Sequence, residues 1–325
     1  MVSIFKEKST SAVFGLVFLA IALHAFFLYR SPEIITTADD GLLYLILNPL
    51  KQLSPVFLTL LYYILVLVQA LRINHVLNDV RMYQKSSFTA SLGYIVLTAM
   101  LPAWNNISAA LVANSFIIWL LFRIVKLYNT PQPKALVYNI GLITGSLALL
   151  FYPALFIIPV IFFALGVTRP FRLNEWFVLL LGIITPPYFY AVYLFLTSQA
   201  APSRAFFAVF KVEKIFPGNP TITAIALGMA GLLFIAGVFT WQAQNNRLQI
   251  QVRKMWSVLF IMLLLLVPCV LFMQAAWPNA LLLACVPGAA FAGNTFLYSK
   301  RLLGALFFWL ALAVVVYVNW VPFKI

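Results

Sequence analysis

The sequence predicts an all-α fold, a polytopic transmembrane helical bundle of eleven spans with its N-terminus inside and its C-terminus outside. Three observations lead there. Charged residues make up 9% of the chain against 64% hydrophobic, and mean hydropathy is +1.02. A soluble domain carries roughly 25% charge, so this chain cannot cover itself with a hydrated surface. Its apolar stretches are continuous rather than alternating, which selects helices over a barrel. Its basic residues fall mainly on one side of the spans, 15 against 6, the bias that orients polytopic proteins.

Against a ruler of about 20 apolar residues per crossing, the first span is 12–29. Lys6 and Lys8 precede it as in a signal peptide, but Arg30-Ser31-Pro32 is no small-residue cleavage site, so an uncleaved span is expected. Next comes an outer interfacial segment, 31–54, in which Asp39-Asp40 precedes a stretch, Gly41 to Leu53, too short to cross. Spans 55–74, 88–104 and 107–125 follow. The stretches 135–151 and 152–168 are separated only by Tyr152-Pro153, as either a hairpin of two short spans or a re-entrant pair. The span 176–197 holds Pro186-Pro187, which removes two backbone donors and should kink it. A second outer interfacial segment, 198–220, mixes Arg204, Lys211 and Lys214 with Phe206, Phe207, Phe210 and Phe216. Spans 221–241, 256–273, 279–297 and 303–321 complete the chain, with further kinks expected at Pro268 and Pro287. No repeat and no loop long enough for a soluble domain is present, so 1–325 reads as one transmembrane domain.

The net charge of +14 comes from cations scattered singly and in pairs between apolar runs. That is a topology signal with membrane lipids as the partner, and no nucleic-acid stripe. Cys269 and Cys285 both lie in apolar runs and read as packing residues. None of the seven acids falls in the middle of a span, which counts against ion-coupled transport. The polar groups at depth, among them His24, Gln69, Asn114, Asn294 and Thr295, read as interhelical hydrogen-bonding residues.

Two strings remain for chemistry. Asp39 and Asp40 could hold a divalent cation through oxygen ligands or serve as a catalytic base, or could simply form a solvated turn. The inner loop RPFRLNEW, Arg169 to Trp176, reads as a snorkelling anchor with Asn174 capping the next helix and Glu175 in its first turn. Arg169, Arg172 and Glu175 are alternatively a site for anionic headgroups or a protein partner.

An acid in the first outer loop followed by an interfacial helix resembles the membrane glycosyltransferases that use polyprenyl-phosphate-linked sugars. The resemblance implies that Asp39 or Asp40 is catalytic, often with a metal, and that Arg204, Lys211 and Lys214 grip the donor phosphate. The block from Leu147 to Ser198 also resembles an uncharacterised family of polytopic inner-membrane proteins of Gram-negative bacteria. Phe151, Tyr152, Arg169, Pro170, Phe171, Glu175, Trp176, Gly182, Pro186 and Pro187 carry that likeness, and NPLKQLSP and LVQALRIN extend it. It implies a bacterial inner-membrane location and no particular activity. Carotene-oxygenase or desaturase chemistry would need more histidines than His24 and His75. The functional expectation is a glycosyltransferase-like role in envelope glycan assembly. The alternatives are a non-enzymatic subunit scaffolding an envelope or secretion assembly, and a lipid or small-molecule transporter.

Overall fold

A computed structural model describes residues 2–37, 40–128, 130–197, 220–245, 248–272, 277–299 and 301–320. The described chain is all-α apart from one two-residue ladder. In order it forms α1 (Val2–Phe5), α2 (Thr10–Leu23), β1 (Ile34–Ile35), α3 (Leu43–Leu50), α4 (Pro55–Asp79), α5 (Thr89–Thr98), β2 (Ile107–Ser108) and α6 (Ala109–Lys126). There follow α7 (Lys134–Leu150), α8 (Ile157–Thr168), α9 (Leu173–Leu196), α10 (Pro220–Gln244), α11 (Ile250–Leu266), α12 (Trp277–Leu282), α13 (Cys285–Tyr298) and α14 (Arg301–Trp320). Among the described residues, six helical stretches are long and apolar enough to cross a membrane: Pro55–Asp79, Ala109–Lys126, Leu173–Leu196, Pro220–Gln244, Ile250–Val270 and Leu302–Trp320.

Hydrogen bonds sort the connections into two ends. At one end β1 pairs in parallel with β2, and Leu42 N–H donates to Leu149 O. There too Trp104 Nε1 donates to Pro278 O and Asn105 Nδ2 to Asn319 Oδ1. At the other end Phe88 N–H donates to Phe5 O, Lys6 Nζ to Leu297 O, and Gln84 N–H to the Tyr298 hydroxyl.

At the centre lie α5 and α13, of 10 and 14 residues. Every residue of α5 is buried, as are Cys285 to Phe296 of α13. They meet through glycines: a Cβ on Gly93 would sit 3.0 Å from Ala289 O, and one on Gly293 would sit 2.8 Å from Ala90 Cα. Without hydrophobic drive between helices in lipid, such close backbone approach is what holds them together. A ten-residue helix is about 15 Å long, half the hydrocarbon thickness. The expected span 88–104 is therefore not one helix. It ends at Thr98 and continues through a 3-10 turn, Pro102–Asn105. The expected span 279–297 is likewise split between α12 and α13. Pro287 falls in the first turn of α13, where no donor is lost, and Pro268 opens a 3-10 turn after α11, so neither kinks a helix interior.

The 135–168 region is two helices, α7 and α8, joined through extended Phe151 and a 3-10 turn, Tyr152–Phe156. α9 remains one helix through Pro186 and Pro187. Proline at 187 strips the Ile183 carbonyl of its helical donor, and that oxygen lies against Gly145 of α7, too close for any Cβ there. Gly141 and Gly182 complete the seam, each closing on backbone of the facing helix. The loss of a helix bond is thus matched to a contact only glycine permits.

Candidate functional site

The first-loop acid is built into a turn. Asp40 is fully buried. Its Oδ2 accepts from Thr37 N–H at 2.5 Å and its Oδ1 from Thr37 Oγ1 at 2.8 Å. Gly41 follows at φ +53, packed so tightly on the Leu149 carbonyl that no side chain fits. Burial pushes the Asp40 carboxyl upward, against the opposing pull of the Thr37 bonds and of the Lys51 ammonium. Asp40 therefore closes the turn on Thr37, while Gly41 and the Leu42 N–H seat it on the end of α7. Among the described residues no three His, Cys, Asp or Glu side chains gather as a metal set. Asp39, Arg204, Lys211 and Lys214 lie outside the described residues.

The RPFRLNEW string is a clasp. Arg169 is engaged within the molecule: its Nε donates to Glu175 Oε2 at 2.9 Å, and its Nη1 to the carbonyls of Leu127 and Thr130 at 2.9 and 2.8 Å. The guanidinium ties the last turn of α6 to the α8–α9 corner. Asn174 is not the cap; α9 starts after Arg172, with no side-chain cap bond. Trp176 stacks on Phe162, with Phe171 on its other flank. Arg172 is exposed.

The polar groups at depth form two linked sets. Gln69 Nε2 donates to Leu111 O and to Ser115 Oγ, both at 2.7 Å, while its Oε1 accepts from the Tyr94 hydroxyl at 2.7 Å. Asn114 Nδ2 reaches Tyr94 and Leu282 O. Nearer the loop end, His24 Nδ1 lies 2.9 Å from Ala20 O. A carbonyl can only accept, so Nδ1 carries the proton and Nε2 is the acceptor, 3.2 Å from Tyr62 O–H. Asn319 Nδ2 donates to Ala99 O. Asn294 and Thr295 likewise bridge to α10, through Gly237 O and Leu233 O. The interhelical role expected of His24, Gln69, Asn114, Asn294 and Thr295 is met. Sequence reading passed over Tyr62, Tyr94, Asn105 and Asn319. Tyr62 and Gln69, seven residues apart on one face of α4, were the available signal.

Two cavities flank the 102–105 turn. One, of about 560 Å³, is apolar and lies between α10, α11 and α13, lined by Ala230, Gly231, Phe234, Leu264, Gly288 and, at the turn, Trp104. The other, of about 300 Å³, is mixed, with Arg30, Asn105, Asn106 and Asn319 beside Phe26 and Phe27. Consecutive residues, Trp104 and Asn105, thus face an almost wholly apolar space and one that carries polar groups. Such a boundary suits an amphipathic molecule, with a hydrocarbon tail on one side and a polar head on the other. No family model, curated protein or solved structure matches the chain.

Proposed function

We propose that the protein is an eleven-span bacterial inner-membrane protein, N-terminus inside and C-terminus outside, that handles a polyprenyl-phosphate-linked sugar on its outer side as a glycosyltransferase of envelope glycan assembly. The sorting of connections into two ends supports the threading, since loops read as outer bond to one another and loops read as inner do the same. The observation that carries the function is the pair of cavities divided by Trp104 and Asn105. In this reading the isoprenoid lies between α10 and α11. Arg30 and the asparagines meet the head, with Arg204, Lys211 and Lys214 of the segment joining α9 to α10 supplying further charge for phosphate. Asp39 is the candidate reacting carboxylate, beside Asp40, which holds the turn.

Gly231 lines the apolar cavity and a Cβ there meets open space; Gly228, one turn away on the same helix, also meets open space but does not line it. Native mass spectrometry of the mildly extracted full chain tests the reading. Retained isoprenoid phosphate is expected in the wild type and in Gly228→Leu, and its loss in Gly231→Leu. Sugar transfer from a polyprenyl-phosphate donor should also vanish in Asp39→Asn at normal abundance. Retention of the isoprenoid by Gly231→Leu, or full transfer by Asp39→Asn, overturns the corresponding half.

A further inference from the structure

A second cleft, at the other end of the bundle, points to a different ligand. It measures about 460 Å³ and opens between α4 and α6, two of the candidate spans. Its floor is the bond from Gln69 Nε2 to Ser115 Oγ. The Gln69 amide is spent on Leu111, Ser115 and Tyr94, whereas a serine hydroxyl that accepts still has its own proton to donate. Along α4, Arg72 and His75 follow Gln69 at successive turns and line the cleft. Across from them, Trp119 and Phe122 of α6 line it too. Arg123 stands with its guanidinium carbon 5.9 Å from the centre of the Trp119 ring. Its Nε is buried and finds no acceptor among the described residues.

Arg72, His75 and the Ser115 hydroxyl line the cleft with no acid among the lining residues, and Arg123 stands beside its Trp119 wall. The walls, by contrast, are hydrocarbon: Val68 and Ile118. Val68 and Trp119 are 48% and 44% exposed, so the cleft opens sideways through an apolar surface rather than into a loop. A soluble anion would have no use for such walls. A lipid has, because its phosphate can meet Arg72 while its chains lie along α4 and α6. Basic pockets between spans on the cytoplasmic side select anionic headgroups for this reason.

We propose that the cleft between α4 and α6 binds one anionic glycerophospholipid, its phosphodiester held by Arg72 with His75 and Ser115 as further donors and the charge of Arg123 close by, behind Trp119. The site is separate from the cavities assigned to the isoprenoid and stands whether or not that assignment holds.

The test is native mass spectrometry of the full chain from bilayer nanodiscs of equal phosphatidylglycerol and phosphatidylcholine. The wild type should retain one phosphatidylglycerol per chain in preference to phosphatidylcholine. Loss of one cation near the surface weakens an anionic-lipid contact roughly fivefold, so Arg72→Gln should lower the preference by about that factor. Arg253→Gln, which removes an exposed cation of α11 outside the cleft, should leave it unchanged. Quenching of Trp119 by brominated phosphatidylglycerol, taken as the difference from Trp119→Phe, should exceed quenching by brominated phosphatidylcholine. Equal retention of the two lipids by the wild type, or equal losses in Arg72→Gln and Arg253→Gln, overturns the proposal. Displacement of the lipid by millimolar inorganic phosphate would show a free-anion site and overturns it as well.

Discussion

α5 and α9 are both apolar helices, yet they occupy opposite situations. All ten residues of α5 are buried, whereas only 11% of the apolar window of α9 is buried inside the molecule. Hydropathy does not separate them, because in lipid a leucine gains nothing by leaving the hydrocarbon for the protein. Residue size and hydrogen-bonding capacity do. α5 reads TASLGYIVLT, and each of its polar side chains is engaged: Thr89 with Ser87, Ser91 with Ala70 O, Tyr94 with Gln69, Thr98 with Tyr94 O. α13 carries the same signature, with Gly288, Ala289, Ala290, Gly293, Asn294 and Thr295. The outward face of α9 instead carries Phe177, Leu181, Ile184, Tyr188 and Phe189, all exposed. A buried helix in a bilayer is marked by small and polar residues, and a lipid-facing one by large apolar side chains.

The sharpest way to break the comparison is to enlarge a glycine in each setting. Gly293→Leu would drive a side chain into Ala90 backbone and the Tyr83 hydroxyl. With backbone on one side and a fully buried ring on the other, nothing can yield, and a loss above about 4 kcal/mol is expected. Monodisperse protein in size-exclusion chromatography should disappear. Gly228→Leu, with open space around it, should change thermal stability by no more than about 0.5 kcal/mol. A well-folded Gly293→Leu would mean that α5 and α13 are not in backbone contact.

The next effect belongs to the corner that attaches α9. Arg169 and Glu175 are both nearly excluded from solvent, at 10% and 4% exposure of their side chains. Removing one partner of a buried pair costs about 3 to 5 kcal/mol, because the other charge is left unmatched. Arg169→Ala should fall in that range, with the carbonyls of Leu127 and Thr130 also losing their donor. Arg172→Ala, at an exposed position, should shift stability by less than about 0.5 kcal/mol. Thermal unfolding of the two variants in one detergent decides the matter, and equal shifts would return Arg169 to the role of a surface anchor.

These contrasts show what was legible beforehand. Continuous apolar runs locate the helices because length and hydrophobicity are local properties of the chain. The breaks inside 88–104 and 279–297 are not local. The 102–105 turn is held by Trp104 donating to Pro278 O, a contact 174 residues apart in the chain. RPFRLNEW stands out as a string, but its meaning depends on carbonyls some 40 residues earlier, which no spacing rule supplies. Asp39-Asp40 is visible as a pair of acids. That Asp40 would turn inward onto Thr37 follows from the fit of Gly41 against α7. The smaller cavity was invisible because Asn105, Asn106 and Asn319 come together only once the first loop, the 102–105 turn and the end of α14 have met.

The smallest effect sits at Asp40, and it separates a structural carboxyl from a free one. Burial raises its proton affinity in the folded protein above the ordinary carboxylate value. The folded state therefore binds the proton more tightly than the unfolded chain. Its neutral form contributes stability that is fully present below the unfolded value and is lost as pH rises through the folded one. Thermal stability of the wild type should accordingly increase on acidification across the carboxylate range, relative to Asp40→Asn, which copies the neutral acid and cannot titrate. Asp40→Ala removes the acceptor of both Thr37 bonds and should be less stable by about 1 kcal/mol, as for a lost cap. Unfolding curves of the three proteins between pH 4 and 7 test this. Parallel curves for wild type and Asp40→Asn would mean that the carboxyl is hydrated, and Asp40 would again stand beside Asp39 as a group free to react.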